Sequence, residues 1–155
     1  MENIFFVIFD VFNFGLVAFL WWLTIKHYND LPQRIPIHFN IIGKANRFGD
    51  KMYSFFIPVL GLLLYLVFLY ITRHPENSNF PVTVTEHNRA LQYSMMKIYL
   101  RCLLVLVILT FLNTQDYVFR YSPENNIKPR VPIFITVLAI IISVLVMFII
   151  SNSLK

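Results

Sequence analysis

Two charged side chains stand where charge is costly. Asp10 interrupts the apolar run "IFFVIFDVFNFGLVAFLWWLTI" (4–25), and Arg101 interrupts "IYLRCLLVLVILTFL" (98–112). An ionised group at the centre of a membrane helix costs about 2.5–3.5 kcal/mol on insertion scales, so each needs a partner, a proton or water. Counted from Ile4, Asp10 lies about 9 Å along a helix; counted from Lys97, Arg101 lies about 6 Å along its own. If both helices start on the same side of a bilayer, these depths agree within the reach of an arginine. The spacing therefore predicts an Asp10–Arg101 ion pair joining the first and third helices, with Asn13 as a possible second acceptor.

The other chemistry-bearing residues are the four histidines, at 27, 38, 74 and 87. None forms an HxxH or HExxH pair, and the helix order puts two at each end of the molecule, too few at either for a nitrogen and sulfur ligand set. No serine, cysteine or carboxylate stands at triad-like spacing from His38. The expectation is no metal, no cofactor and no catalytic residue, with His38 structural or in contact with a partner. No phosphate-cradling glycine loop or nucleic-acid module occurs, and the basic residues sit at helix ends, where they suit anionic headgroups.

The elements that must position these groups follow from composition. The chain has 155 residues, 57% hydrophobic and 14% charged, against about a quarter charged in soluble domains. Spanning about 30 Å of hydrocarbon takes about 20 apolar residues of helix. Four stretches qualify, predicting one domain over 1–155: an all-α integral membrane protein, built as a four-helix transmembrane bundle with helices at about 4–25, 53–72, 86–112 and 131–151. A secretory signal is disfavoured at the first stretch, because "MEN" lacks a basic n-region and "WWLTIKHYND" lacks a small-residue cleavage site. The single cysteine, Cys102, allows no internal disulfide.

Local signals set the helix ends. Asp50 caps the second helix, Pro132 occupies the first turn of the fourth, and "TVTE" (83–86) is a capping-box pattern opening the third. Pro58 is expected to kink the second helix, with Gly61 one turn later. The connection between the second and third helices is expected to be partly helical. Trp21, Trp22 and Tyr28 fit an interfacial belt. Eight basic residues fall at the end carrying loop 31–51 and five at the other, which predicts that loop to be cytoplasmic and both termini outside.

That loop, "LPQRIPIHFNIIGKANRFGDK", is the longest polar run. Pro32 and Pro36 hold their neighbours extended, and Ile35, Ile37 and Phe39 alternate with Arg34, Pro36, His38 and Asn40. The alternation predicts an ordered, extended cap over one end of the bundle, apolar row inward, with Arg34, His38 and Asn40 on the other face. Gly43 would supply a positive-φ turn.

The same loop resembles a domain-of-unknown-function membrane family found in the N-terminal part of SdpI-type toxin-immunity proteins. Leu31, Pro32, Arg34, Ile35, Pro36, His38, Phe39, Gly43, Arg47 and Lys51 carry the resemblance. "FPVTVTEHNRALQYSM" from Phe80 extends it, so that it covers roughly residues 5–120. Gln33 and Asn46 stand where the family usually has acids, and the second helical portion of the longer immunity proteins is missing. The resemblance implies a stand-alone short form in a bacterial cytoplasmic membrane. It would be non-enzymatic and would bind a membrane-active peptide, another membrane protein or lipid in immunity, signalling or envelope stress. The candidate contact residues are Arg34, Pro36, His38, Asn40, Gly43 and Arg47. The alternatives are a membrane enzyme or transporter using the intramembrane polar residues, or a structural subunit of a membrane complex.

Overall fold

The structure is a computed structural model that describes residues 4–40, 43–121 and 127–154. In chain order it has helix α1 (Ile4–Tyr28), strands β1 (Arg34–Phe39) and β2 (Ala45–Asp50), a 3₁₀ turn (Lys51–Phe55), helix α2 (Phe56–Arg73), a second 3₁₀ turn (Pro75–Asn77), and helices α3 (Arg89–Arg120) and α4 (Ile133–Ser153). Four helices, counting the Lys51–Phe55 turn with α2, are long and apolar enough to cross a membrane. Large apolar side chains cover the outer surface of α1, α2 and α4, as expected where the solvent is lipid rather than water.

The helices do not form a symmetric bundle. α3 packs against α1 and α2, which also pack on each other, whereas α4 rests on α3 without a substantial interface to α1 or α2 among the described residues. The core of the three-helix unit is Val17, Leu104 and Ile108, with Trp21, Leu64 and Phe111 against it. Gly61 belongs to this packing: a Cβ there would lie 3.2 Å from Leu20 Cδ2 and 3.4 Å from Ile108 Cδ1. Its missing side chain lets α2 approach α1 and α3 closely, in the manner of small residues between membrane helices.

Polar side chains tie the helices together. Gln92 donates to the Ser151 carbonyl at 2.9 Å and accepts from Ser151 Oγ at 2.7 Å, fastening α3 to the end of α4. Asn113 donates to the Val131 carbonyl at 2.8 Å and accepts from its N–H at 3.0 Å, fastening the start of α4. Gln115 Nε2 donates to Thr24 Oγ1 (3.0 Å) and to the Ser54 carbonyl (2.9 Å), joining α3 to α1 and to the turn before α2. These bonds explain why α3 runs to Arg120 and not to 112. The apolar run ends at Leu112, but the next polar residues find partners on neighbouring elements.

Several local expectations are corrected. Pro58 lies in the first turn of α2, behind a 3₁₀ turn, so it does not break an established helix. Its missing N–H leaves the Ser54 carbonyl without an i+4 donor, and Gln115 takes that carbonyl instead. The capping box at 83–86 does not form. Glu86 pairs with Arg89, and buried Asn88 closes the turn by accepting from Thr85 N–H (2.8 Å) and donating to the Thr83 carbonyl (3.2 Å). Pro132 is the residue before α4, outside its first turn.

A hairpin at the end of the helices, the candidate binding site

The segment expected to be a single extended loop is a paired antiparallel hairpin, with Arg34 opposite Asp50, Ile35 opposite Gly49 and Pro36 opposite Phe48. Register shifts on both sides of His38 then interrupt the ladder. An extra residue on one strand breaks the two-residue alternation. Ile35 and Pro36, ahead of the shifts, are both buried, while Ile37 is 44% exposed. The apolar row expected from Ile35, Ile37 and Phe39 is therefore not continuous.

The hairpin is held down at three places. Leu31, Ile35 and Val118 make a small buried cluster with Tyr28, Phe39 and Phe119 around it, anchoring β1 to the ends of α1 and α3. At the tip, Asn40 Oδ1 accepts from Lys44 N–H at 2.8 Å and the Asn40 carbonyl accepts from Gly43 N–H at 2.8 Å. Gly43 has φ +79°, a conformation that L side chains resist. Tyr117 of α3 donates its hydroxyl to the Gly43 carbonyl at 2.9 Å, and its ring lies 4.8 Å from that of Phe39. At the base, Asp50 Oδ1 accepts from Met52 N–H at 2.8 Å and caps the 3₁₀ turn.

These contacts sort the candidate residues. Asn40 and Gly43 build the turn. His38 Nδ1 lies 2.6 Å from Asn46 Oδ1 across the strands; with that oxygen accepting, Nδ1 is the donor. The side chains of Arg34 and Arg47 are exposed and make no ion pair or hydrogen bond among the described residues. They line one cavity of about 440 Å³ together with Pro32, Pro36, Phe48 and Tyr121. On another side of β1 lies a cavity of about 520 Å³, walled by Ile37, Phe39, Phe56, Ile57 and Ile133, with His38 also lining it. Ser54 and Gln115 line it too. Ser54 Oγ and Gln115 Oε1 are buried without partners among the described residues. Both acceptors of Gln115 Nε2 are fixed, because Thr24 Oγ1 gives its own hydrogen to the Leu20 carbonyl (2.9 Å). The amide therefore cannot flip, and the unpartnered atom is an acceptor.

Sequence reasoning missed Ser54, Gln115, Phe48 and Tyr121. The available signals were Pro58, four residues after Ser54, and the change from apolar to polar residues after Leu112. No sequence signal placed Phe48 or Tyr121 beside the arginines.

At the opposite end, the structure brings Asp10 and Arg101 together. Arg101 Nε donates to Asp10 Oδ1 at 2.8 Å and Nη2 to Oδ2 at 2.9 Å, a bidentate pair, while Nη1 reaches the Lys97 carbonyl at 3.1 Å. The Arg101 side chain is 5% exposed and the Asp10 side chain 20%. The Phe6 ring lies 4.7 Å from the guanidinium. Asn13 is not a second acceptor for it: its Nδ2 donates to the Phe9 carbonyl (3.0 Å) and to the backbone carbonyl of Arg101 (3.4 Å). Asn13 Oδ1 has no partner among the described residues, and a cavity of about 10 Å³ beside these residues is the size of one water. Among the described residues no group of three histidine, cysteine or acidic side chains could hold a metal.

Residues 15–62 match the family described as Domain of unknown function (DUF1648). The match begins in α1, takes in the whole hairpin and ends in α2, so it contains Arg34, His38 and Arg47 but none of α3. It is shorter than the resemblance drawn from the motifs. An uncharacterised protein of Archaeoglobus fulgidus is 29% identical over 77 residues, covering 44% of this chain and 42% of the relative. The match thus spans less than half the length of that relative. No solved structure matches the chain.

Proposed function

We propose that this membrane-spanning helical protein acts by binding, through the exposed hairpin side chains Arg34 and Arg47 on one side of β1 and His38 on another, and that it performs no covalent chemistry. The observation that supports this is a pair of arginine side chains, without a partner among the described residues, on a hairpin braced by Tyr117, Val118 and Asp50. The bracing holds two charges in fixed positions without spending either on the fold, which is the economy expected of a recognition surface. The resemblance to SdpI-type proteins supports a role in immunity to a membrane-active peptide, in signalling, or in envelope stress, with loop 31–51 cytoplasmic and the protein in a bacterial cytoplasmic membrane.

A chromosomal replacement tests this reading. Arg34→Gln with Arg47→Gln should reproduce the phenotype of gene deletion, such as sensitivity to a membrane-active peptide, at parental abundance in the membrane. Asp10→Asn should reduce function only as far as it lowers abundance. Full complementation by the double arginine variant would overturn the proposal.

A further inference from the structure

We infer that the cavity between Arg34 and Arg47 holds the phosphate of an anionic phospholipid, with one acyl chain lying in the neighbouring apolar cavity. This deepens the binding role proposed above and rests on it. Arg34 and Arg47 come from different strands, line the same cavity of about 440 Å³, and have no acidic partner among the described residues. Asp50, opposite Arg34, is turned to Met52 N–H. Asp116, near Tyr121 in the chain, is taken by Arg120 (2.8 Å) and Arg130 (3.0 Å). A planar guanidinium fork fits phosphate oxygens, and two forks lining one space can approach a tetrahedral phosphate from two sides.

Three observations favour a lipid over a soluble anion. The arginine cavity and the apolar cavity of about 520 Å³ share Ile35, Pro36 and Val118 as walls. The two cavities therefore adjoin across β1. The apolar cavity is bounded by Phe56, Ile57 and Ile133, the first residues of α2 and α4, so it runs into the membrane-crossing part of the molecule. Finally, α1 has 25 residues, about 37 Å of helix against a hydrocarbon core of about 30 Å. Its Tyr28 end, and the hairpin packed there, therefore stand at headgroup level. Among the described residues this end also holds eight basic side chains against three acidic ones, Asp30, Asp50 and Asp116.

The test is native mass spectrometry of the detergent-purified full chain, titrated with phosphatidylglycerol, phosphatidylcholine or sn-glycerol 3-phosphate. Phosphatidylglycerol should bind at one site, at least tenfold more tightly than phosphatidylcholine. At about 1 kcal/mol per arginine near an anionic headgroup, Arg34→Gln or Arg47→Gln should each weaken it about fivefold and the double variant about 25-fold. Lys44→Gln, on the hairpin but outside the cavity, should change binding less than twofold, and melting temperature will confirm that each variant is folded. Ile57→Trp, which narrows the apolar cavity, should weaken phosphatidylglycerol without affecting glycerol phosphate. Equal losses from Lys44→Gln and the arginine variants would reduce the site to diffuse surface charge and overturn the inference. Glycerol phosphate binding as tightly as the lipid would overturn the lipid assignment. Arginine-dependent complementation in cells without phosphatidylglycerol binding would remove the lipid and leave the binding role standing, with an acidic peptide as the occupant.

Discussion

Replacing Asp10 by Asn keeps the side-chain size and one acceptor oxygen but removes the charge, leaving a guanidinium 5% exposed with the Lys97 carbonyl and the Phe6 ring for company. Replacing Arg101 by Gln leaves the carboxylate, with its two hydrogen bonds gone, among apolar side chains. Breaking a buried pair from one side commonly costs about 3–5 kcal/mol. Membrane helices recover part of such losses through water and alternative partners. The Asp10 side chain is 20% exposed, so that recovery should be greater for Arg101→Gln. We therefore expect about 2–4 kcal/mol for Asp10→Asn and about 1–3 kcal/mol for Arg101→Gln. The double variant has neither an orphan charge nor an orphan counter-ion, and should fall short of the sum by about 1–3 kcal/mol. Reversible unfolding in mixed micelles, followed by loss of helicity, measures all four proteins of the cycle. Additivity within about 0.5 kcal/mol would show that the two charges do not stabilise one another, and would refute the pair as a tie between α1 and α3.

Four further outcomes follow from the packing. Gly43→Val should destabilise by about 1–2 kcal/mol through its left-handed backbone alone, since the nearest atoms to a Cβ there are Pro129 carbons 3.6 Å away. Gly43→Asn should cost less in the same melting assay. Gly61→Val should cost about 1–3 kcal/mol by overpacking, because Leu20 Cδ2 is already 3.2 Å from the Cβ position; an unchanged melting temperature would mean that α2 does not approach α1 this closely. Gln115→Leu should cost about 1–3 kcal/mol, since it orphans the Ser54 carbonyl, and Pro58→Ala should recover part of that loss by restoring an N–H within reach of the same carbonyl. A cysteine at exposed Asn46 in a Cys102→Ala background should resist a membrane-impermeant thiol reagent in intact cells, and rapid labelling would reverse the proposed orientation.

The four apolar helices were legible because hydrocarbon thickness sets their length and the runs contain almost no charge. The two charges inside those runs were legible for the same reason. Their cost demanded partners, and their depths were comparable. The end of α3 was not legible, because Asn113, Thr114, Gln115 and Asp116 look like a loop until Thr24, Val131 and Arg130 are brought beside them. The hairpin was half legible. Prolines and alternation indicated extended chain, and Gly43 indicated a turn. The pairing partner "ANRFGD" has too little β-branched content to announce a strand, and the bulge at His38 cannot be seen in periodicity. The position of α4 was likewise hidden. A helix apolar all round carries no stripe that says which neighbour it prefers, and the Gln92–Ser151 and Asn113–Val131 bonds help to seat it on α3.

The claim that matters most is that the hairpin face is occupied in the cell, and photocrosslinking from position 38 tests it most directly. A photoreactive residue replacing His38, activated in native membranes, should give a discrete adduct, lipid or polypeptide, that is lost when Arg34 and Arg47 are changed to Gln. The same residue at Leu145, on the lipid-facing side of α4, should give only the diffuse adducts of bulk lipid in both backgrounds. Indistinguishable adducts from positions 38 and 145, unaffected by the arginine changes, would contradict the account.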